Sequence, residues 1–156
     1  MGDRYNAAII YTIRRDDGTP LLLEGVDARS LLMGGFGSVS LDVLGGWHGS
    51  SWFVDEDPSD DSMQLVQTIS ADIPITKCTA KAEFENLCGW DEEAGAPVTL
   101  AEGRWKFRFD VDYGDSSVLL GGGETFAQND MAFTVDSVSV SPIAVQAAYT
   151  VDSEVQ

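Results

Sequence analysis

The stretch Gly103-Arg104-Trp105-Lys106-Phe107-Arg108-Phe109-Asp110-Val111-Asp112-Tyr113 decides the fold class. Trp105, Phe107, Phe109, Val111 and Tyr113 fall on one parity and Arg104, Lys106, Arg108, Asp110 and Asp112 on the other. That period of two belongs to a strand with one face in a core and the other in water. The four aromatics on one face offer more apolar area than a lone hairpin covers, so a second layer of strands has to close over them. The alternation predicts Trp105 and Phe107 deeply buried, with Lys106 and Arg108 exposed.

The same pattern recurs to either side. In 4–14, Tyr5, Ala7, Ile9, Tyr11 and Ile13 share a face, with Ile10 the main exception, and Asp16-Asp17-Gly18-Thr19-Pro20 then turns the chain. Residues 21–33 show no sustained period and are compatible with a short strand or one helical turn. Further strands are predicted at 37–43, at 62–70 around Met63, Leu65, Gln67 and Ile69, and at 75–87, where Cys78, Ala80, Ala82 and Phe84 oppose Lys77, Thr79, Lys81, Glu83 and Glu85. That wet face and Arg104/Lys106/Arg108 carry much of the chain's scarce positive charge, so these two strands are expected in one sheet. Trp90 to Pro97 reads as a polar loop. In 131–140 the apolar parity slips between Val135 and Val138, which places a bulge near Asp136-Ser137. Pro142 is expected to kink the chain or send it to another sheet before the last strand, 143–151. Seven alternating segments, turn-rich connections and no amphipathic helix make an all-β fold. It is expected to be an immunoglobulin-like antiparallel β-sandwich of about seven or more strands, with a jelly roll as the alternative, built as a single domain over 1–156.

Size and charge narrow the function. A chain of 156 residues, 44% of them hydrophobic, is long enough to bury about two thirds of its unfolded surface. Nine basic against 26 acidic residues give a formal charge of −17, which repels phosphate backbones and anionic membrane surfaces, so neither nucleic acid nor acidic lipid is an expected partner. No apolar run approaches the ~18 residues of a membrane span. The N-terminus has no signal-peptide pattern, and the first strand pattern begins near Arg4, as expected of a piece excised from a longer protein.

Candidate chemistry is sparse. With 75–87 as one strand, Cys78 and Cys88 lie roughly 30 Å apart, far beyond the ~7 Å of a disulfide, so both thiols are expected free. His48 is the only histidine, which leaves no histidine pair for metal and no evident base for a nucleophile. Gly34-Gly35-Phe36-Gly37 and Gly121-Gly122-Gly123 lack the Lys-Ser/Thr of a phosphate loop. The acidic runs Asp55-Glu56-Asp57…Asp60-Asp61 and Asp110…Asp112…Asp115 supply the hard oxygens calcium takes but lack the glycine and terminal glutamate of an EF-hand, and read as solvated loops. No catalytic, cofactor-binding or metal residues are assigned, and no cofactor is expected. Trp47, His48 and Trp52, in a Gly-rich segment, are the candidate interaction surface: an aromatic platform for a sugar or peptide, or else indoles that cover the end of the core.

Glu85-Asn86-Leu87, Leu100-Ala101-Glu102-Gly103-Arg104-Trp105-Lys106-Phe107-Arg108-Phe109, Val138-Ser139-Val140-Ser141-Pro142-Ile143-Ala144-Val145 and the early Asp3-Arg4-Tyr5 resemble the extracytoplasmic region of a Gram-positive domain-of-unknown-function family. Its members are similar to membrane-anchored anti-sigma-factor-like proteins, with a cytoplasmic segment, one membrane helix and an outer β-sandwich. The resemblance implies an extracytoplasmic, non-enzymatic sensory or protein-interaction module. It would be anchored by a membrane helix absent from this chain, and any sigma factor would be reached only through a missing cytoplasmic segment. The partner is an unknown protein or envelope ligand. The alternative is a carbohydrate- or surface-binding β-sandwich module using Trp47 and Trp52.

Overall fold

The computed structural model describes residues 1–23, 26–33, 38–41, 46–55, 60–128 and 131–152. These residues form eleven strands in three antiparallel sheets, with one 3-10 turn at Ala28–Ser30. The all-β expectation holds. The first sheet has the order β1 (Asn6–Arg14), β5 (Ser62–Ala71), β4 (Trp47–Val54). In the second, β6 (Cys78–Asp91) pairs with β7 (Ala96–Val111) on one side and with β2 (Leu32–Met33) and β3 (Ser38–Leu41) on the other.

These two sheets make the sandwich. β5 alternates along its whole length, burying Met63, Leu65, Gln67, Ile69 and Ala71, and β6 answers with Ala80, Ala82 and Phe84. Phe84, Ile69 and Leu87 are the largest side chains fully removed from water. At Asn86 the backbone takes φ 46°, a left-handed conformation that asparagine tolerates better than most residues, and its Oδ1 accepts a hydrogen bond from Gly103 N at 3.0 Å. Register shifts around this residue flip the inward parity of β6 from Ala82/Phe84 to Leu87/Gly89, and that of β7 from Phe109/Val111 to Val98/Leu100. One long hairpin thereby feeds two clusters, the main one around Ile69 and Phe84 and a second around Leu21, Val26, Leu31, Met63, Leu87 and Leu100.

The third sheet, β8 (Val118–Leu120), β9 (Thr125–Gln128), β10 (Met131–Val140) and β11 (Val145–Asp152), is differently situated. β11 pairs with one side of β10, and β9 and β8 follow one another along its other side. None of its strands joins a sandwich ladder among the described residues, and no residue described in 118–152 is buried. Side-chain tethers hold it to the chain's beginning: Ser141 Oγ donates to Asp3 Oδ2 at 2.6 Å, and Ser116 Oγ donates to Gly2 O at 2.8 Å.

Several expectations hold and several need correction. Lys81 lies opposite Arg108 and Glu83 opposite Lys106, so the two strands with basic residues are neighbours, and Glu83 and Glu85 neutralise Arg104 and Lys106 across the ladder. The bulge falls between Val135 and Ser137 as the parity slip predicts. Cys78 and Cys88, ten positions apart on β6, are not joined in a disulfide, as the strand length predicts. Phe107 is not deeply buried: it is on the inward parity but 46% exposed, and Trp105 is half-buried, because the first sheet does not cover this end of β7. Lys106 and Arg108 are exposed as expected. The polar stretch Trp90 to Pro97 is not a loop throughout. Strand pairing runs on to Asp91↔Ala96, and the reversal is confined to 92–95, where Asp91 Oδ1 accepts from Glu93 N and Ala94 N and Gly95 takes φ 61°. Pro142 does not move the chain to another sheet; it sits in the turn of the β10–β11 hairpin, where Ser141 N donates to Ala144 O. The Gly34–Gly37 run and Glu56–Ser59 of the acidic loop lie outside the described residues.

Candidate functional site

The first candidate is the edge strand β4. Its pairing with β5 sets Trp47 against Ala71 and Trp52 against Val66. Ala71 belongs to the buried parity of β5 and Val66 to the opposite one, so the two indoles leave β4 on opposite faces. Both are exposed, as is His48, which shares the outward face with Trp52. Among the described residues the segment is therefore a strand with one unpaired edge, and its tryptophans do not make one flat platform.

The second is a cleft of about 720 Å³ on the β1/β7 side, where the sandwich layers part. Tyr11, Ile13, Phe84, Leu87, Trp105 and Phe107 give it an apolar wall, and Arg14, Arg15, Asp16 and Asp17 stand at one end. Tyr11 packs edge-on against Phe84 at 5.2 Å between ring centroids and lies 6.1 Å from Phe107. Burial pushes the Tyr11 hydroxyl up to about 12, and the oxygen has no hydrogen-bond partner among the described residues. Arg15 reaches across from the end of β1 to donate from Nη2 to Leu100 O at 2.7 Å, closing the polar end.

The third is the β8–β11 sheet itself. Residues paired across a ladder share a face, and the registers sort this sheet into two unlike ones. One carries Thr125, Thr134, Ser137, Ser139, Gln146 and Thr150, with Asp136 at the bulge accepting from Thr150 Oγ1 at 2.9 Å. The other carries Val118, Leu120, Val138, Val140, Val145 and Ala147 at one end, and Phe126, Met131, Phe133, Val135, Tyr149 and Val151 at the other. Gln128 is its single polar member. Phe126 stacks on Phe133 at 5.1 Å, and Phe133 meets Tyr149 at 6.1 Å. Val145 is 72% exposed and Tyr149 60%; Val118, Leu120, Phe126 and Met131 are also open to water. Together these six leave on the order of 600 Å² of apolar surface, the upper end of what monomers present.

Asp3 anchors this sheet to the sandwich. Burial raises its pKa, but hydrogen bonds from Ser141 Oγ, Tyr5 N and Asn6 outweigh that and hold the carboxyl below the ordinary aspartate value. Tyr113, whose hydroxyl donates to Asn6 O at 3.1 Å, is pushed up to about 12 by burial and by the nearby Asp3 charge. Among the described residues no group of three His, Cys, Asp or Glu side chains is arranged to hold a metal ion, and no helix is long and apolar enough to cross a membrane.

Sequence reading found the edge-strand residues and missed the other two candidates. It assigned Phe107 to a closed core, and it counted 131–140 and 143–151 among the strands of a single sandwich. One signal was available: 118–151 contains apolar positions for a single face and no second set to cover it.

Neither a protein-family model nor a curated protein matches the chain. A crystal structure described as a conserved domain protein from Bacillus anthracis is similar in fold, with a TM-score of 0.64 and 16% sequence identity over 97% of this chain. The chain spans about half of that protein's length, 48%. At this identity the likeness concerns the fold alone.

Proposed function

We propose that this chain is a non-enzymatic protein-interaction module that works by covering the apolar face of its β8–β11 sheet. The observation that carries the reading is that face: a four-stranded sheet with one side uncharged among the described residues, open to water, in a chain of net charge −17. Water-exposed apolar area of this extent is favourable only when something removes it from solvent, which is the driving force of protein association. The wider setting, an extracytoplasmic sensory module of an anti-sigma-factor-like membrane-anchored parent, is part of the same proposal and rests on the sequence resemblance. A carbohydrate-binding module is less favoured, since Trp47 and Trp52 do not share a face.

The test is titration with the apolar dye 8-anilinonaphthalene-1-sulfonate of the folded chain, diluted until it sediments as a single copy so that self-association does not cover the face. Bright binding that drops several-fold in Val118→Ser/Tyr149→Ser is expected; binding equal in the two proteins would remove the reading. The setting is checked on intact cells making the parent protein, where external protease should cleave this domain and full protection would place it elsewhere.

A further inference from the structure

We infer that the apolar face of the β8–β11 sheet is closed by the same face of a second copy of this chain, so that two half-cores become one β-sandwich across a two-fold axis. This rests on the interaction-module reading and names its partner. Three observations carry it.

The first is area. The open apolar surface, on the order of 600 Å² from the most exposed residues alone, approaches the ~800 Å² per partner of a standard stable interface. The second is charge. Two copies at −17 each repel across most surfaces they could bring together, whereas among the described residues this face carries no charged side chain, and residues 118–156 contain no lysine or arginine. It is the place where like copies meet without confronting carboxylates.

The third is shape. The face is thick at one end, where Phe126, Phe133 and Tyr149 stand, and thin at the other, where Val118, Val145 and Ala147 stand. A two-fold axis lying between the sheets and perpendicular to the strands reverses the strand direction while keeping lateral order. β10 then lies over the partner's β10, and β8 over the partner's β9. Each thick end meets a thin end, which keeps the layers near the ~10 Å spacing of packed sheets along their whole length. An isologous interface of this kind needs only one patch, used twice.

The experiment is sedimentation equilibrium of the full chain from micromolar to submillimolar concentration. A species of twice the 16.8 kDa chain mass is expected. Val145→Asp should weaken dimerisation at least ~100-fold by burying an unpaired carboxylate. Gln146→Asp, on the opposite polar face of the same strand, should leave it within about threefold. Both variants should keep the wild-type circular dichroism, since both positions are exposed in the single chain. Orientation is read from Leu120→Lys/Phe126→Glu: with thick over thin, each lysine faces the partner's glutamate and the double variant dimerises better than either single one. A monomer at every concentration, with the dye-binding face intact, overturns the dimer and leaves the interaction reading standing. A dimer indifferent to Val145→Asp places the contact elsewhere and overturns the proposal, as does a double variant weaker than both singles.

Discussion

The sandwich strands of residues 6–111 and the sheet of residues 118–152 follow the same sequence rule and end in different environments. In both, apolar and polar residues alternate along antiparallel strands. In the first, β5 meets β6 across a closed core and Phe84 is 2% exposed. In the second, residues of the same chemistry line a face that none of the described residues covers, and Phe126 and Tyr149 stay in water. Alternation specifies which side of a strand is apolar. Whether that side is covered depends on a partner layer that no local pattern contains.

The largest effect should separate the two regions outright. Phe84→Ala removes a ring packed among Tyr11, Phe107 and the inward alanines and should cost about 3–5 kcal/mol, enough to unfold a domain of ordinary stability. Chemical denaturation measures it, and a loss below about 1 kcal/mol would mean that the closed core lies elsewhere.

Next comes the joint between the regions. Asp3→Asn should cost about 1.5–3 kcal/mol at neutral pH, the range for a hydrogen bond to a charged group, by weakening the contacts from Ser141, Tyr5 and Asn6. Because the folded-state pKa of Asp3 is lowered, the carboxylate's contribution is present above the unfolded value of ~3.9 and fades as pH falls through the lower folded value. Melting temperatures of wild type and variant should therefore converge on acidification; a gap that stays constant down to pH values below both would show that charge plays no part in the tether.

The smallest effect sharpens the boundary inside the sandwich. Phe107 has the inward parity of a core residue and the exposure of a cleft wall, so Phe107→Ala should cost only about 1 kcal/mol, half or less of a fully buried phenylalanine's transfer energy. A loss equal to that of Phe84→Ala would mean that the cleft is closed in solution.

Much of the fold was legible in the residues. The inward set of β1, the unbroken alternation of β5, the pairing of the two strands with basic residues, the unbridged cysteines and the bulge at Asp136 all follow from local pattern, charge and strand length. Each depends on neighbours within one strand or one ladder. The candidate sites were less legible. Trp47 and Trp52 were visible as candidate aromatics, either a platform or a cover for the end of the core, but their exposure and their placement on opposite faces required β4 to be a continuous edge strand through a glycine-rich segment, against the propensity of Gly49.

The sequence by itself determined most of the strands and their polar and apolar faces, because these are set by side-chain period. Only the tertiary structure decided which faces meet. It placed the flip of parity at Asn86, the parting of the layers at Phe107, and the isolation of 118–152 from the sandwich ladders. Burial is a property of two surfaces brought together across long stretches of chain, and a one-dimensional pattern describes each surface without stating its partner.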